Sequence, residues 1–339
     1  MTASPAEFDD GRLDDKQALI RHDEALRTLA LAGARIRIEA AAAAAMRVDE
    51  PMMPRGIVLA GFESRLIRSV VEVSCQAPVV AWTHEGLPGW AGPLDLVVVQ
   101  ASGGEDASLA TTVIEAARRG CAMLVAAPAA GALAEQVPTR GVWRVTTTTD
   151  DPVAAVVALL DVLSRAGFGP AIVTESIAEA ADMVAEDCSP HKDLASNPGK
   201  SAAIALADAQ PLVWGGSALA ARAARRIAEE MRRASGRPAL AAPASDLAPL
   251  LLAGEPRDPF ADPGEQPAHP VLVSLDDGDD DALEARQRTM LEGIAEARQL
   301  RFVPMICDDA QAGPVGRHVA LRQQGLYAAA YLEVGFDRA

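Results

Sequence analysis

The chain is poor in aromatic residues and in positive charge, which limits the composition of its cores and the classes of partner that it can bind. Aromatic residues make up 4% of the 339 residues although hydrophobic residues make up 50%, so the cores must be built from Ala, Val and Leu. The 31 Lys and Arg against 47 Asp and Glu give a net charge of −16. A surface that acidic argues against nucleic acid and anionic membranes as partners.

Cysteines and long apolar runs are also scarce. The four cysteines lie far apart, with neither a CxxC spacing nor a Cys/His ligand spacing: Cys75, Cys121, Cys188 and Cys307. They are expected to be free thiols in a reducing cytoplasm. The sequence has no run of about 18 apolar residues and no signal-peptide pattern. We therefore expect a soluble cytoplasmic protein with no metal and no cofactor.

Alternating strands and helices are what the sequence has in abundance. Residues 95–120, DLVVVQASGGEDASLATTVIEAARRG, combine a Val-rich buried strand, a Gly-containing turn, and a helix that stops at Gly120. Such a turn points backbone N–H groups from the helix N-terminus at one spot, where an anion can bind. Repetition of this unit along the chain predicts an α/β protein with parallel, doubly wound sheets.

The length allows two domains, each with its own core. We expect an N-terminal helical arm over residues 1–50, whose helical pattern runs from Asp14 to Met46, followed by domains over 51–167 and 168–339. The strand–turn–helix at 211–230 repeats the one at 56–74, which predicts two similar halves. A strand is also predicted near 238–242, and a helix ends the chain.

The order of several short motifs is the most specific feature of the sequence. They are Phe62-Glu63-Ser64 after Gly61, the loop 100–106, Pro138-Thr139-Arg140, the segment 188–200 (CSPHKDLASNPGK), Gly215-Gly216-Ser217 and the helix around Tyr327–Tyr331. From Arg55 onward this order resembles that of the bifunctional phosphoglucose/phosphomannose isomerases, which carry two sugar-isomerase (SIS) domains. The resemblance implies two flavodoxin-like SIS domains, each a doubly wound parallel sheet flanked by helices. It also implies that the protein forms a homodimer and that its ligand is a sugar phosphate or a related small molecule.

The phosphate loop of that family is only partly present. The residues that match it, or that offer a second hydroxyl, are Ser64, Ser102, Gly103 and Gly104. Gln100 replaces the first serine of the loop, and Glu105 replaces its threonine. A carboxylate repels a bound dianion. Glu105 therefore either occupies the anion site at its own helix N-terminus, which we favour, or lies in a rearranged loop around a phosphate.

The acid and base of an aldose–ketose isomerase are harder to find. The reaction needs a carboxylate base, a general acid and a cation near the developing oxyanion. Arg140 matches the family's cation, although an ordinary surface arginine is equally consistent. The family's Asn-His-Asn-Glu segment falls on residues 248–251, which hold no carboxylate, and its later His falls in the acidic run 276–281. That run is expected to be a solvated turn rather than a metal site.

Substitutes for the missing groups are weak. Asp246 and Glu255 are the nearest carboxylates, but both residue types are typical of helix caps and loops. His191 lies in the family-like segment 188–200, and Lys200 matches the lysine of the family's Asn-Pro-X-Lys. The remaining histidines are two further candidate acids, His269 and His318, and two predicted surface positions, His22 and His84.

Two functions from different classes fit these observations. The first is a catalytically degenerate SIS protein that binds a sugar phosphate or related ligand and has a regulatory or binding role. The second is an active sugar-phosphate isomerase whose acid and base have moved, for example to Asp246 or Glu255 with His191. We favour the first, because no proton shuttle stands where the family has one.

Overall fold

A computed structural model describes residues 8–48, 53–101, 107–256, 269–278 and 281–338. Its contacts divide the chain into two compact units: Ala32–Ala178, and the residues up to Leu31 together with those from Glu179 onward. Each unit is a parallel sheet flanked by helices. The predicted α/β fold class is thereby confirmed.

The unit Ala32–Ala178 is built on a five-stranded parallel sheet with strand order β2-β1-β3-β4-β5. Its strands are β1 (Ile57–Gly61), β2 (Val79–Trp82), β3 (Leu96–Gln100), β4 (Ala122–Pro128) and β5 (Val142–Thr147). Its helices are α3 (Ala32–Ala44), α4 (Ser64–Val71), α5 (Ala107–Arg119), α6 (Ala132–Gln136) and α7 (Pro152–Arg165). Ile57 lies opposite both Val79 and Leu96. The chain extends the sheet first to one side of β1 and then to the other, so a topological switch point lies between β1 and β3.

Apolar strands and one apolar helix form the core of this unit. Every residue of β3 is buried, as expected for a parallel strand covered on both faces. Helix α7 is buried along most of its length, and the Asp151 side chain caps it by accepting from Val153 N at 2.9 Å. Helix α3 packs on α7. Arg165 donates to Ala43 O at 2.6 Å, which satisfies a carbonyl at the end of α3.

The other unit contains a four-stranded parallel sheet in the order β7-β6-β8-β9. Its strands are β6 (Ala209–Gly215), β7 (Leu240–Ala241), β8 (His269–Asp276) and β9 (Phe302–Ile306). Its helices are α1 (Lys16–Arg21), α2 (Asp23–Ala30), α9 (Pro198–Leu206), α10 (Ala218–Ser235), α11 (Ala244–Ala253), α12 (Ala282–Ala297) and α13 (Gly313–Phe336), while α8 (Thr174–Asp187) crosses the unit boundary. The first four strands of each unit have the same order, so the predicted repeat is confirmed.

Helix α13 is the central element of the four-stranded unit. It is buried on nearly all sides and packs along α10. Gly325 makes this approach possible, because a Cβ there would lie 2.3 Å from Ile227 Cγ1. None of the described helices is both long and apolar enough to cross a membrane.

The N-terminal segment is not the continuous helix that its pattern predicts. It is a 3-10 turn at Asp10–Leu13 followed by α1, α2 and α3, with breaks at His22 and Leu31. The surface prediction for His22 is also wrong: the residue is 6% exposed, and burial, with Arg21 adding, lowers its pKa. The breaks let the short helices pack separately, and Gln323 Nε2 donates to Leu29 O at 3.0 Å. The strand predicted near 238–242 shrinks to the two residues of β7.

Candidate functional site

A cleft of about 600 Å³ opens at the carboxyl ends of β1, β2 and β3. This is the switch point of the five-stranded sheet, where open α/β sheets bind their ligands. The polar residues that line the cleft are Thr83, His84, Glu85, Gln100, Ser108, Thr112 and Asp150. Its apolar lining includes Phe62, Trp82 and Leu109.

The base of the cleft is formed where β1 and β3 end side by side. Gly61 has φ +124°, and a Cβ there would lie 2.1 Å from Gln100 O, so only glycine permits this approach. Gln100 is 1% exposed, and its Oε1 accepts from Glu63 N at 3.1 Å. The glutamine that replaces the family's first loop serine therefore joins the two strand ends at the base of the cleft.

The loop after β2 forms one wall and is tied to α5. Thr112 donates to Gly86 O at 3.2 Å, and Glu115 accepts from Leu87 N at 2.7 Å. That backbone N–H, followed by the Arg119 guanidinium, lowers the pKa of Glu115. Glu85 is held in turn, because Thr111 Oγ1 donates to its Oε1 at 2.9 Å. These bonds fix the three residues Thr83 to Glu85 at the mouth of the cleft.

The turn between β5 and α7 contributes Asp150 to the lining. Glu39 on α3 is fully buried, and its Oε1 accepts from Thr148 N at 2.8 Å and Thr149 N at 2.7 Å. Asp150 follows with φ +52°, a left-handed conformation in which aspartate is better tolerated than most residues. The turn that places Asp150 is therefore held by a buried carboxylate from a helix 110 residues earlier.

The charge of the cleft is acidic. Within the described residues that line it, the charged side chains are Glu85 and Asp150, and no Lys or Arg is among them. The His84 ring packs edge-on against Trp82, with centroids 5.0 Å apart. The arrangement can bind through hydroxyls, the Gln100 amide and the N–H groups of the first turn of α5. One imidazole, His84, and the two carboxylates are thus among the residues that line the same cleft.

Several residues predicted to bind phosphate or to catalyse either fall outside the described residues or do not line the cleft. Ser102, Gly103, Gly104 and Glu105 fall outside the described residues. Ser64 is 2% exposed at the start of α4 and is not among the lining residues. Arg140 is exposed in the turn before β5 and does not line the cleft either. Their functional roles stay predictions.

Lys200 is the centre of a polar network in the four-stranded unit. It is buried, and its Nζ donates to Asp14 Oδ1 at 2.7 Å and to Lys192 O at 2.8 Å. Asn197 caps α9 by accepting from Lys200 N at 3.0 Å, and its Nδ2 donates to Tyr331 OH at 3.3 Å. The ammonium group of Lys200 thus donates to backbone carbonyls of the segment 188–200 that precedes it. This geometry gives Lys200 a structural role, and its predicted role in substrate binding stays a prediction.

The other candidate acids and bases also belong to the four-stranded unit. His191 is exposed, Asp246 is in the first turn of α11, and His269 Nδ1 lies 3.1 Å from Glu255 O. His318 is 2% exposed and donates from Nδ1 to Leu219 O at 2.9 Å. Burial lowers its pKa to about 4. None of these side chains lines the cleft.

Within the acidic run 276–281, residues 279 and 280 lie outside the described residues; the described part is not a purely solvated turn, which corrects the prediction. Asp277 is 8% exposed and accepts from the Ser217 hydroxyl. Asp276 pairs with Arg288 at 2.6 Å, and Asp281 caps α12. These carboxylates are used within the fold, because the Arg288 guanidinium, the Ser217 hydroxyl and the first N–H groups of α12 supply their donors. In the described parts of the chain no group of three or more His, Cys, Asp or Glu could hold a metal ion.

Sequence reasoning missed some of the residues that line the cleft, notably His84 and Asp150. His84 was predicted to be a surface position; it is exposed, but at the mouth of the cleft. The sequence does indicate this position for His84, because Thr83-His84-Glu85 directly follows a predicted strand. The carboxyl ends of parallel strands meet at one edge of the sheet, where ligands bind. Asp150 carried no such signal, since its conformation depends on Glu39.

Comparison with known proteins supports the resemblance seen in the motifs. The sequence profile of the bacterial phospho-glucose isomerase C-terminal SIS domain matches residues 195–332. No curated protein matches the sequence at a significant level.

Solved structures share the fold at low identity. A glucose-6-phosphate isomerase like protein from Thermus thermophilus is 17% identical over 95% of this chain and 92% of its own, with a TM-score of 0.56. The C-terminal domain of glucosamine-fructose-6-phosphate aminotransferase from Francisella tularensis is 11% identical over 91% and 96%, with a TM-score of 0.61. Tagatose-6-phosphate ketose/aldose isomerase from Escherichia coli is 12% identical over 95% and 94%, with a TM-score of 0.56. Residues 195–332 thus match a C-terminal SIS domain of the bacterial phospho-glucose isomerase type, and the chain shares the fold of these solved structures.

Proposed function

We propose that the protein binds a sugar phosphate or a related carbohydrate derivative in the cleft at the β1/β3 switch point and acts as a binding or regulatory protein. The observation that carries this proposal is the lining of the cleft. It offers hydroxyls and an amide, while no cationic side chain is found among its described lining residues.

The dimensions and donors of the cleft support binding. Its volume of about 600 Å³ suits a small ligand, since ligand pockets span about 300 to 1,000 Å³. Thr83 and Ser108 supply hydroxyl groups beside the Gln100 amide. The first turn of α5 adds backbone N–H groups, which suit a phosphate or a sugar oxygen.

The same lining argues against isomerisation. An enediolate needs a donor aimed at its oxygen, and losing one such donor costs about 100- to 1,000-fold in rate. Arg140, the cation expected from the family, does not line the cleft. The family's catalytic segment corresponds to residues in α11, where Leu251 is fully buried in an apolar core.

One observation favours an active isomerase as the second candidate. His84 and Glu85 are consecutive in the sequence and both line the cleft. An imidazole and a carboxylate can serve as the acid and base of proton transfer between adjacent carbons. If the protein is an active isomerase, His84 and Glu85 would serve as acid and base in place of His191 with Asp246 or Glu255, which the sequence suggested.

Calorimetric titration and a coupled isomerase assay distinguish the two candidates. Glucose 6-phosphate, mannose 6-phosphate and fructose 6-phosphate are each tested for binding and for turnover. Binding without turnover is expected. Turnover that disappears in His84→Ala and Glu85→Gln but persists in Glu135→Gln, an exposed carboxylate on α6, would establish the isomerase instead. No binding of any hexose phosphate would contradict both.

The assembly and domain division are proposals that rest on the family resemblance. We propose a homodimer with an N-terminal arm over residues 1–50 and SIS domains over 51–167 and 168–339. Light scattering after size-exclusion chromatography tests the dimer, and a monomer at micromolar concentration would contradict it. Limited proteolysis tests the boundaries.

A further inference from the structure

We infer that the four-stranded unit has an anion site of its own, a pocket at the carboxyl ends of β6 and β7 that binds a phosphate group. The pocket has a volume of about 160 Å³. Pockets for whole ligands start at about 300 Å³, so this one suits a single small anion. The inference goes beyond the proposed function, because it concerns a separate pocket and does not depend on what the cleft binds.

The internal repeat gives this pocket the same place in its sheet as the cleft. Strands β6 and β7 take the positions of β1 and β2, and both pockets open at the carboxyl ends of these strands. Their charges are opposite. The cleft is lined by Glu85 and Asp150, whereas the described residues that line the second pocket include Arg225 and neither Asp nor Glu. A guanidinium in a pocket whose lining has no carboxylate favours an anionic ligand.

Arg225 has no hydrogen-bond or ion-pair partner in the described parts of the chain. Other arginines of α10 do: Arg226 pairs with Glu229 at 2.7 Å, and Arg232 donates to Ala239 O at 2.7 Å. Arg225 is exposed at the mouth of the pocket. Its guanidinium is therefore available to donate two parallel hydrogen bonds to the oxygens of a phosphate.

Helix α11 begins at the wall of the pocket. Its N-cap residue is Pro243, and no side chain caps the helix. The backbone N–H groups of Ala244 and Ser245 have no acceptor among the described residues, and Ala244 lines the pocket. The N-terminus of a helix attracts anions, because its first N–H groups and its dipole both favour negative charge. The pocket thus combines a guanidinium with unpaired backbone donors.

Trp214 is the buried donor of the pocket. It is 1% exposed, packs in the apolar core beneath α11 and α12, and lines the pocket. Its indole N–H donates to no residue that the structure describes, and the described residues leave the nitrogen open rather than enclosed. Buried N–H groups are normally paired. An unpaired indole donor in the wall of the pocket therefore indicates an acceptor that comes from a ligand.

Two carboxylates lie near the pocket without lining it. Asp246 is exposed in the first turn of α11 and accepts from the Ser245 hydroxyl at 3.2 Å. Glu284 approaches from α12, where its Oε2 would lie 2.9 Å from a Cβ on Gly216, and it has a partner of its own. Both weaken the attraction for an anion, so removing the charge of either one should tighten binding.

The test follows the indole N–H signals of the full-length protein by NMR, with its four tryptophans labelled with nitrogen-15. Sodium phosphate is titrated at pH 7 against sodium chloride of equal ionic strength. We expect phosphate to shift the Trp214 signal saturably, and Trp214→Phe identifies that signal. Arg225→Gln should weaken phosphate binding about tenfold or more. Arg233→Gln, which removes an exposed arginine of α10 outside the pocket, should leave it unchanged. Asp246→Asn should tighten it about twofold to fivefold.

Three results would overturn the inference: no shift of the Trp214 signal, an equal shift with chloride, or an equal phosphate affinity in Arg225→Gln. If Arg225→Gln does not fold, Asp246→Asn decides, and an unchanged affinity in that variant would overturn it as well. Glucose 6-phosphate identifies the source of the group. A shift of Trp214 by both compounds assigns the pocket to phosphate carried on a sugar, and a shift by inorganic phosphate alone assigns it to the free ion. Trp82 lines the cleft, so its signal tests the proposed function separately.

Discussion

Replacing Glu39 should both destabilise the protein and loosen the cleft. The side chain is fully buried on α3 and its Oε1 accepts from two consecutive backbone N–H groups. In Glu39→Ala both donors lose their acceptor. A hydrogen bond to a charged group contributes about 1.5 to 3 kcal/mol. Two such bonds set an upper limit near 6 kcal/mol.

Two features of the site reduce that limit. Glu39 Oε2 is buried without a partner among the described residues, so removing the carboxylate also removes its unfavourable burial. Thr148 is exposed, so its N–H can bond to water instead. We therefore expect Glu39→Ala to lower the free energy of unfolding by about 2 to 4 kcal/mol. Glu39→Gln keeps an acceptor oxygen and should cost about 1 kcal/mol.

Urea denaturation followed by circular dichroism measures these differences. The matched control is Glu175→Gln, which removes an exposed carboxylate bonded to Arg37 in the same unit and should leave the midpoint unchanged. Because Glu39 holds the turn that carries Asp150, Glu39→Ala should also weaken sugar binding. A Glu39→Ala protein as stable as the wild type, with unchanged affinity, would refute the assigned role.

Three further predictions concern the four-stranded unit. Lys200→Met should lower the free energy of unfolding by about 1 to 3 kcal/mol, because it leaves the carbonyls of Pro190 and Lys192 without their buried donor. The half-exposed Asp14 carboxylate stays solvated and adds little. Weaker sugar binding in a variant of unchanged stability would instead favour the substrate role. Between pH 6.5 and 4 the unfolded chain protonates His318 while the folded chain does not, so the free energy of unfolding should fall by about 3 kcal/mol over that range. His318→Gln should reduce this dependence of the free energy of unfolding on pH. The same pH dependence in the variant and the wild type would contradict the prediction. Gly325→Ala should destabilise by about 1 to 3 kcal/mol through the clash with Ile227. Gly293→Ala, exposed on α12 with open space around it, should stabilise slightly, and identical melting temperatures for the two glycine variants would refute this reasoning.

The fold could be predicted because its signals are local. The Val-rich run of β3 indicates a buried strand, and the long apolar stretch of α7 indicates a buried helix. The alternation of such strands and helices along the chain implies crossover connections and a parallel sheet. The breaks in the N-terminal helices could not be predicted this way. His22 and Leu31 interrupt a pattern that is helical throughout, and the packing of α2 against α13 is a long-range contact that this pattern does not indicate.

The cleft could be predicted only in part, because its lining comes from distant segments. Gln100 and Ser108 flank a loop recognisable from sequence, whereas His84 and Asp150 join it through the strand order and through the bonds of Glu39. Charge is a property of that assembled lining. No single segment indicates that two unpaired carboxylates will face one cavity.

The segment 188–200 resembles the family more closely than the catalytic positions do, and the contacts supply a physical reason. Asn197, Lys200 and Tyr331 satisfy one another and the carbonyls around them, and Tyr331 OH donates to Cys188 O at 2.6 Å. Replacing one member leaves a buried polar group unpaired, which is costly. Residues 248–251 on α11 face no such constraint, because Leu251 only has to fill an apolar core. Motifs of this kind therefore identify the fold while leaving the reaction open, and the reaction must be read from the cleft.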